Sequence, residues 1–413
     1  MYFPYGKGSI ALSLPENVDL VTYRAASEEE APGDERSRFA RALAAPIGSP
    51  PLAELARGRS DAVILISDIT RLSPSARFLP ALLDALNEGG LPDERIRIVV
   101  ALGTHRRMTD DELRLLAGEA YGRVAVENHS CDPADCVDVG TTPAGTRVSI
   151  NRRVVEADLR IATGNIEPHR LVGVSGGIKA LFPGVAAAPS IEQHHALSQS
   201  HRAVPGYADN PLHRDLEDAA ALCPIHFVFN VVVDAERNVL GIYAGDPSEA
   251  HRRGTAFARE RFLVPVERRY DIVVASAGGA PKDMQMYQAI KALENAAGFA
   301  KTGGVLLLIA SCEELYGNGV FQLWAELSGD RARAVERLQR RFVLGAHKLQ
   351  LLDAVLSKHE VHLLSELPAP IAELLGFRPV EDAQAWVDAY AAAATDRSIA
   401  AIPYASLTFP HEP

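Results

Sequence analysis

The chain repeats one local pattern, in which a short strand-like run ends abruptly in polar residues and a helical stretch follows. A continuous apolar run at 61–67 is typical of a strand buried on both faces of a sheet, and the next predicted strand is 96–102. Two further runs, 157–163 and 270–276, are also predicted to be strands. Strands that alternate with helices in this way predict parallel sheets joined by right-handed crossovers. The predicted fold class is therefore α/β.

The other predicted elements extend this pattern along the chain. Thr109 precedes Glu112 by three residues, which predicts a capping box at the start of a helix at 110–118. Further helical stretches are predicted at 25–50, 76–89 and 248–262. Additional strands are predicted at 225–233, 304–310 and 360–364, with a hairpin at 8–23 and a last strand at 398–410.

The length of the chain, 413 residues, predicts two or three domains. We expect one α/β domain at 1–265, joined by the tail at 390–413, and a second α/β domain at 268–388. Mostly parallel sheets are expected in both domains. We expect the active site in the cleft between them, because clefts between domains are common ligand sites.

Composition and charge narrow the class of protein. A net charge of −11 argues against general nucleic-acid binding and against binding to an anionic membrane surface. The amino terminus lacks the pattern of a signal peptide, and no apolar run reaches the roughly 18 residues of a spanning helix. We therefore expect a cytoplasmic protein without nucleic-acid or membrane partners. Four scattered cysteines do not form a disulfide framework, and Cys131 and Cys136 lack the second pair that a zinc site needs.

Polar side chains follow three of the predicted strands at the point where each strand ends. Asp68 and Arg71 follow the run at 61–67, His105 follows the run at 96–102, and His169 with Lys179 follows the run at 157–163. The carboxyl ends of parallel strands meet at one edge of a sheet, where ligands bind in open α/β folds. The sequence therefore predicts a ligand site at this edge.

The stretch 164–179 combines a proline break, a histidine, three glycines and a lysine. Gly173, Gly176 and Gly177 allow positive φ and close backbone approach, while Ser175 adds a hydroxyl and Lys179 a cation. These groups can form a cradle for an anion. A plain tight turn is the alternative interpretation, since the spacing matches neither the Walker nor the dinucleotide-binding pattern.

Two predicted helices carry further polar groups. The stretch 191–195 contains adjacent histidines, of which only one can face inward. The second helix carries Tyr287 and Gln288 one turn before Lys291, so an amide and a cation could meet a carboxylate there. A solvated helix face is the alternative interpretation of each.

Together these motifs resemble the nickel-pincer-nucleotide lactate racemase family in both order and spacing. The resemblance runs from the opening at 5–8 to the end of the chain. The residues that carry it are 68–71, 101–108, 164–184, His195 at sixteen positions after Lys179, and 287–291.

The resemblance implies a cofactor, a metal and a set of site residues. The cofactor would be a nickel pincer nucleotide, the pyridinium-3-thioamide-5-thiocarboxylic acid mononucleotide, bound covalently to Lys179. His195 would bind the nickel, and His105 and His169 would act as acid and base on either face of the substrate. Arg71, Gln288 and Lys291 would bind the substrate. The residues expected around the cofactor are Asp68, Gly173, Ser175, Gly176, Gly177 and Tyr287.

The implied activity is inversion of the hydroxyl-bearing C2 of a small 2-hydroxy acid, by proton-coupled hydride transfer to the cofactor. A cofactor of this kind carries the hard chemical step, and the protein orients it. Proteins of cofactor biosynthesis would be needed for the loaded form. One departure concerns the substrate: where the lactate enzyme has a tryptophan beside the cofactor, this chain has His347 and Lys348, which could meet a larger or more polar acid. An exposed helix start is the alternative interpretation of these two residues.

Two other classes compete with the racemase hypothesis. A zinc hydrolase could bind its metal through His105, His169 and His195 and keep an open coordination position. That hypothesis gives no role to Lys179 or to the glycine-rich stretch. A non-catalytic nucleotide-binding protein would account for the stretch but not for the paired histidines.

Overall fold

The alternating pattern of the sequence forms two six-stranded sheets, each covered by helices. The structure is a computed structural model that describes residues 1–25, 34–328, 331–392 and 397–412. Contacts divide the chain into a central unit, Ala25–Glu260, and a split unit formed by Met1–Arg24 together with Arg261–Pro413.

Strands occur throughout the described residues. In chain order they are β1 Tyr2–Tyr5, β2 Gly8–Ala11, β3 Val18–Leu20, β4 Ala62–Ser67, β5 Ile96–Ala101, β6 Ala125–Asn128, β7 Cys136–Thr141, β8 Arg147–Asn151, β9 Leu159–Asn165, β10 Pro168–His169, β11 Gly173–Val174, β12 Phe227–Val233, β13 Val239–Gly245, β14 Leu263–Pro265, β15 Tyr270–Ser276, β16 Ala300–Ile309, β17 Glu360–Leu364, β18 Arg378–Val380, β19 Ile399–Ile402 and β20 Phe409–His411.

The helices of the described residues alternate with these strands. In chain order they are α1 Glu35–Ala44, α2 Leu52–Ala56, α3 Ser75–Glu88, α4 Asp110–Ala117, α5 Arg152–Glu156, α6 Ala188–Ala196, α7 Pro211–Leu222, α8 Pro247–Phe262, α9 Met286–Ala297, α10 Gly319–Leu327, α11 Arg331–Arg340, α12 Lys348–Leu356, α13 Ala369–Leu375 and α14 Ala383–Val387.

The sheet of the central unit has the order β13-β12-β9-β4-β5-β6. Its pairings are parallel except for that of β12 with β13. The chain adds β5 and β6 on one side of β4 and then β9 and β12 on the other, so the strand order reverses between β4 and β9. Ligands in such sheets bind beyond the carboxyl ends of the strands at a reversal of this kind.

Aromatic packing fixes helices on the face of this sheet. Phe39 of α1 and Phe78 of α3 meet Phe229 of β12 with ring centroids 5.8 Å and 5.0 Å away. All three side chains are at most 1% exposed. Each buried aromatic ring of this kind contributes a large part of the apolar area that stabilises a core. The predicted strand at 61–67, buried on both faces, is confirmed as β4, since Ile64 and Leu65 are fully buried.

The sheet of the split unit has the order β18-β17-β16-β15-β19-β3, and all of its pairings are parallel. Its strand order reverses between β15 and β19. The loop after β15 leads into α9, and α12 packs against that helix. The α/β class with mostly parallel sheets is therefore confirmed in both units.

The domain division differs from the sequence-based one at both chain ends. The tail was expected to return to the first domain, but β19 lies between β15 and β3 in the sheet of the split unit. The strand β20 pairs with β14 of the same unit. Residues 1–24 also belong to this unit. An apolar run indicates a buried strand but does not say which of two similar sheets it joins, because the partner is chosen by distant contacts.

Two local predictions also need correction. The hairpin expected at 8–23 lies earlier, between β1 and β2, and β3 pairs with β19 instead. The helical stretch expected at 25–50 contains α1, Glu35–Ala44, while residues 26–33 of it lie outside the described residues.

The capping box is confirmed, since Thr109 and Glu112 exchange both of its hydrogen bonds at the start of α4.

None of the helices among the described residues combines the length and the apolar character needed to cross a membrane.

Candidate active site

Asp68 follows β4 and lies against His105, which follows β5. The Asp68 carboxylate is 3% exposed and lies 2.6 Å from Nδ1 of His105. It also accepts hydrogen bonds from the backbone N–H and the hydroxyl of Thr70, at 2.9 and 2.5 Å. Burial alone would raise the pKa of this carboxyl, but the charge and hydrogen bond of His105, with help from Arg71 and Thr70, hold the pKa well below its usual range.

The ionised Asp68 determines which nitrogen of His105 is available for chemistry. A carboxylate can only accept hydrogen bonds, so Nδ1 of His105 must be the donor. In the neutral ring Nε2 then carries a lone pair and can accept a proton. The His105 side chain is 23% exposed. The arrangement is that of a general base oriented by a buried carboxylate.

The loop that carries His105 packs against the segment that precedes α6. Gly103 has a φ of +55° and donates its N–H to the carbonyl of Gly184 over 2.8 Å. A Cβ atom on Gly103 would lie 3.9 Å from Ile191 of α6. The loop of His105 and the helix of His195 are therefore held beside each other in the central unit.

His169 has the opposite arrangement of donor and acceptor. It lies in β10, whose partner β11 places Gly173 opposite it. Its Nδ1 accepts the backbone N–H groups of Leu171 and Val172, at 3.2 and 3.4 Å. In the neutral ring the proton must therefore reside on Nε2, which makes that nitrogen a donor. The two histidines thus present a proton acceptor and a proton donor.

Three glycines with positive φ shape the turn that carries Lys179, as the sequence predicts. The φ angles of Gly173, Gly176 and Gly177 are +83°, +78° and +57°. A Cβ atom on Gly173 would lie 1.8 Å from the carbonyl oxygen of Tyr207. The close approach at this glycine is therefore to the backbone of the protein itself, and only glycine fits there.

Lys179 lies in a short 3₁₀ turn, Gly177–Ala180, that contacts β4, β9 and β12. The turn lies close to β9, because a Cβ atom added to Gly164 would be 3.5 Å from the Cα of Gly176. It is also bound to β12, where Oδ1 of Asn230 accepts the N–H of Gly177 over 3.0 Å. The Nδ2 atom of Asn230 is buried and lacks a hydrogen-bond partner. The turn thus sits at the strand-order reversal, next to a buried donor that can receive a ligand.

Ser175 ties the two sides of the stretch 164–179 together. Its hydroxyl donates to the carbonyl of Asn165 over 2.9 Å and accepts the N–H of Glu167 over 2.9 Å. Its own N–H donates to the carbonyl of Glu167. The hydroxyl that was expected to face an anion is thus used within the turn. A contact between Ser175 and a cofactor stays a prediction.

Two buried imidazoles support this stretch, a role that the sequence did not predict. His213 donates from Nδ1 to the carbonyl of Val172 over 3.1 Å, and His251 donates from Nε2 to the carbonyl of Ser175 over 2.9 Å. Their rings stack with centroids 5.7 Å apart. Burial lowers the pKa of both, that of His251 to about 4, and the charge of Lys179 contributes to the lowering at His213. Both rings are therefore neutral donors at pH 7.

The adjacent histidines of α6 have different surroundings, as expected. His194 is fully buried, and its Nδ1 lies 2.9 Å from the carboxylate of Asp215, which is also fully buried. His195 is half-buried and donates from Nδ1 to the carbonyl of Ile191 over 2.9 Å. In the neutral ring the lone pair is then on Nε2, and metal-binding histidines usually donate their other ring N–H in this way.

The described residues contain no group of three or more His, Cys, Asp or Glu side chains placed to hold a metal ion. The three-histidine site of the zinc hydrolase hypothesis is therefore not assembled. A metal at His195 would take its other ligands from a bound cofactor, and the single ring nitrogen fits that case.

The split unit carries its own polar cluster on α9 and at the start of α12. Lys291 donates to Oε1 of Gln288 over 2.7 Å, and Nε2 of Gln288 is buried without a hydrogen-bond partner. The Lys348 ammonium lies 5.3 Å from the centroid of the Tyr287 ring, and the His347 ring lies 6.4 Å from it. The predicted residues of this helix are thus brought together, and the buried amide can receive an oxygen ligand.

Comparisons with known proteins agree over most of the chain. Family models described as the lactate racemase N-terminal domain and the lactate racemase C-terminal domain match residues 5–206 and 266–406. The lactate racemase of Thermoanaerobacterium thermosaccharolyticum is 32% identical over 373 residues, covering 88% of this chain and 87% of that protein. The lactate racemase of Lactiplantibacillus plantarum is 34% identical over 349 residues, covering 81% of each.

Solved structures agree with this result. The lactate racemase apoprotein from Thermoanaerobacterium thermosaccharolyticum has a TM-score of 0.87 at 29% identity and covers 100% of this chain and 99% of its own. A protein from Thermotoga maritima has a TM-score of 0.72 at 18% identity, covering 92% of this chain and 98% of its own, and shows a shared fold alone.

Proposed function

The chain belongs to the lactate racemase family and is an isomerase of the racemase type, and we propose that it inverts the hydroxyl-bearing C2 of a 2-hydroxy acid. The observation that carries the proposal is the opposite hydrogen bonding of two imidazoles. Nε2 of His105 is set as an acceptor by Asp68, and Nε2 of His169 is set as a donor by two backbone N–H groups. Racemisation needs such an acid and base on opposite faces of C2.

The two histidines would exchange roles between the two directions of the reaction. In one direction His105 takes the hydroxyl proton of the substrate, and His169 returns a proton to the oxygen when the other enantiomer forms. The reverse reaction starts with the opposite protonation states. Histidine suits this exchange, since its ordinary pKa lies close to neutral pH.

A nickel pincer nucleotide would supply the hydride acceptor and donor, so that C2 becomes planar as a 2-keto acid between the two steps. We propose that Lys179 binds this cofactor covalently and that Nε2 of His195 binds the nickel. The residues proposed to surround the cofactor are Asp68, Gly173, Ser175, Gly176, Gly177 and Tyr287. Proteins of cofactor biosynthesis would be required for the loaded form.

We propose that Arg71, Gln288 and Lys291 bind the carboxylate of the substrate. The support comes from two of these residues: the buried Nε2 of Gln288 lacks a hydrogen-bond partner, and Lys291 is held beside Gln288 by a 2.7 Å hydrogen bond. Hydrogen bonds from charged donors to a carboxylate are stronger than those between neutral groups. Holding the carboxylate lets the keto acid present either face without leaving the site.

Two competing functions have less support. The zinc hydrolase lacks its three-ligand group among the described residues. Nucleotide binding without catalysis leaves the Asp68–His105 contact and the reversed hydrogen bonding of His169 without a role.

The cytoplasmic location and the absence of nucleic-acid or membrane partners stay predictions from the sequence.

The test compares protein produced with and without the cofactor-biosynthesis proteins. Intact mass and nickel content are measured first, and enantiopure 2-hydroxy acids are then incubated with each preparation and analysed by chiral chromatography. We expect an adduct on Lys179, bound nickel and inversion of at least one acid in the loaded protein alone. A loaded protein that inverts no 2-hydroxy acid would overturn the proposed activity, and activity without an adduct would overturn the proposed cofactor.

A further inference from the structure

The position of the proton on His169 depends on two backbone N–H groups that lie at long hydrogen-bond distances. Nδ1 of this ring accepts from Leu171 over 3.2 Å and from Val172 over 3.4 Å. Backbone hydrogen bonds to oxygen are most often about 2.9–3.0 Å long, and they weaken as they lengthen. A small shift of these two residues would therefore release Nδ1 and allow the proton to move to it.

The carbonyl group of Val172 is held by two side chains from the start of α7. Nδ1 of His213 donates to this oxygen over 3.1 Å, and Nδ2 of Asn210 donates to it over 3.3 Å. All three residues are at most 6% exposed, so water does not compete for these bonds. The segment that supplies N–H groups to His169 is thus fixed from the side of α7.

The first turn of α7 keeps both donors in place. Asn210 is the N-cap, and its Oδ1 accepts the N–H of His213 over 2.9 Å. Its Nδ2 is shared with the carbonyls of Tyr207 and Ala208, so His213 provides the stronger bond to the Val172 oxygen. The His213 ring stacks on that of His251, and burial lowers its pKa, so that the ring is neutral with its proton on Nδ1.

We infer that His213 is a positioning residue of the reaction, assisted by Asn210. It holds Val172 where the two N–H groups keep Nδ1 of His169 an acceptor and the proton on Nε2. This inference rests on the proposed function, in which His169 is one of the two acid–base groups. Loss of the bond would leave part of the protein with the wrong tautomer. It would lower kcat with little change in KM, because other residues are proposed to bind the substrate.

Two replacements of His213 separate its hydrogen bond from the shape of its ring. His213→Phe keeps a stacked ring and lacks the donor, whereas His213→Asn lacks the ring and places an amide NH₂ near the position of Nδ1. Nε2 of His213 lies 4.0 Å from the Glu217 carboxylate, so the phenylalanine removes a single hydrogen bond. A purely structural role would favour His213→Phe, since a cavity with a buried amide destabilises a core more than an apolar ring.

The first measurement uses unloaded protein labelled with ¹⁵N in its histidines. The nitrogen chemical shifts report which ring nitrogen carries the proton, and His169→Ala identifies the signals of that ring. We expect the proton of His169 on Nε2 in the wild type and in His213→Asn, and a mixture of both tautomers in His213→Phe. The same tautomer in all three proteins would overturn the inference.

The second measurement determines kcat and KM of nickel-loaded protein in both directions with an enantiopure acid that the wild type inverts. His213→Phe should lower kcat roughly 10-fold, the size of one lost hydrogen bond, and change KM by less than about threefold. His213→Asn should keep kcat within about threefold of the wild type. Asn210→Ser keeps a helix cap but loses Nδ2, so it should lower kcat less than His213→Phe does.

The matched control is His362→Phe, which replaces a buried imidazole of the split unit. It should leave both kinetic constants unchanged, and circular dichroism should show that the variants are folded. Should His213→Phe fail to fold, Asn210→Ser takes its place, with a mixture of tautomers as the expected result and a single tautomer as the contrary one.

The kinetic outcomes separate this inference from the proposed function. Wild-type kcat in His213→Phe, or a larger loss in His213→Asn than in His213→Phe, would overturn the inference while leaving the racemase proposal intact. Loaded wild type that inverts no 2-hydroxy acid overturns the racemase proposal. The tautomer measurement on unloaded protein then decides by itself whether His213 positions His169.

Discussion

Nδ1 of His105 and Oδ2 of Asp68 lie 2.6 Å apart, and the carboxylate is 3% exposed. This contact assigns the proton of the neutral imidazole to Nδ1 and keeps Nε2 as an acceptor. His169 is fixed in the opposite sense by the backbone N–H groups of Leu171 and Val172. The difference between the two rings is set by the fold before any ligand binds.

Replacing Asp68 with asparagine should prevent His105 from acting as a base while keeping the shape of the site. Thr70 donates to Oδ1 of Asp68, so the amide oxygen would take that position and the amide NH₂ would face His105. The His105 ring must then accept at Nδ1, and Nε2 becomes a donor. We expect kcat to fall at least about 100-fold, the usual size of a general-base contribution.

Loaded Asp68→Asn protein should retain its adduct and nickel, which intact mass and metal analysis measure alongside the chiral assay. Thr70→Val is the matched control, because it removes one hydrogen bond to Asp68 and leaves the carboxylate in place. A kcat in Asp68→Asn as high as that in Thr70→Val would contradict the role assigned to the carboxylate.

His105→Ala and His169→Ala should each abolish racemisation, since a complete turnover uses both rings. General acid–base groups contribute roughly 10²- to 10⁴-fold, so the loss should be well above assay noise. Both variants should keep the covalent cofactor and nickel. By contrast, Lys179→Arg should lack the adduct and His195→Ala should lose nickel. Full activity in either of the first two variants, or nickel and adduct retained in His195→Ala, would show that the roles are wrongly assigned.

Gly173→Ala should destabilise the central unit by more than about 4 kcal/mol, because a Cβ there meets the Tyr207 carbonyl oxygen at 1.8 Å and φ is +83°. Gly145→Ala is the matched control: its φ is +89°, with nothing within 4 Å of the new atom. The control should cost only about 1–2 kcal/mol for the left-handed backbone. Urea unfolding of unloaded protein measures both, and equal costs would mean that the stretch moves away from Tyr207 freely.

The buried His251 should make the central unit sensitive to acid. Its pKa is about 4 in the folded protein against an ordinary value of 6.5. Between these values the unfolded chain binds a proton that the folded protein does not, so stability is complete above pH 6.5 and falls as the pH decreases to 4. The difference of about 2.5 pKa units corresponds to about 3 kcal/mol at 1.36 kcal/mol per unit.

His251→Gln tests this effect, since glutamine keeps a donor for the Ser175 carbonyl but does not titrate. The free energy of unfolding of the wild type should decrease by about 3 kcal/mol more than that of the variant between pH 7 and pH 4. Parallel profiles for the two proteins would exclude His251 as the source of the acid sensitivity.

Local sequence patterns predicted those features that depend on near neighbours in the chain. The run at 61–67 became β4 because uninterrupted apolar residues require burial on both faces, and the runs at 96–102 and 270–276, each with a single charged residue, became β5 and β15. The capping box at Thr109 formed because its partners are three residues apart. Parallel strands place their polar ends at one edge, so the meeting of Asp68 with His105 was also predictable in outline.

Tertiary structure alone decided what depends on distant partners. The sequence marks 398–410 as strand-forming, yet β19 joins β15 and β3 because that pairing buries both of its faces. The tautomer of His105, the use of the Ser175 hydroxyl inside its turn, and the support of that turn by His213 and His251 follow from hydrogen bonds between residues ten or more positions apart. The tautomer of His169 is instead set locally, by the N–H groups of Leu171 and Val172. Lys348 is buried at the start of α12, the helix that packs against α9. A periodicity shows which residues need burial, whereas the environment of each charge is set by whichever groups the whole fold brings beside it.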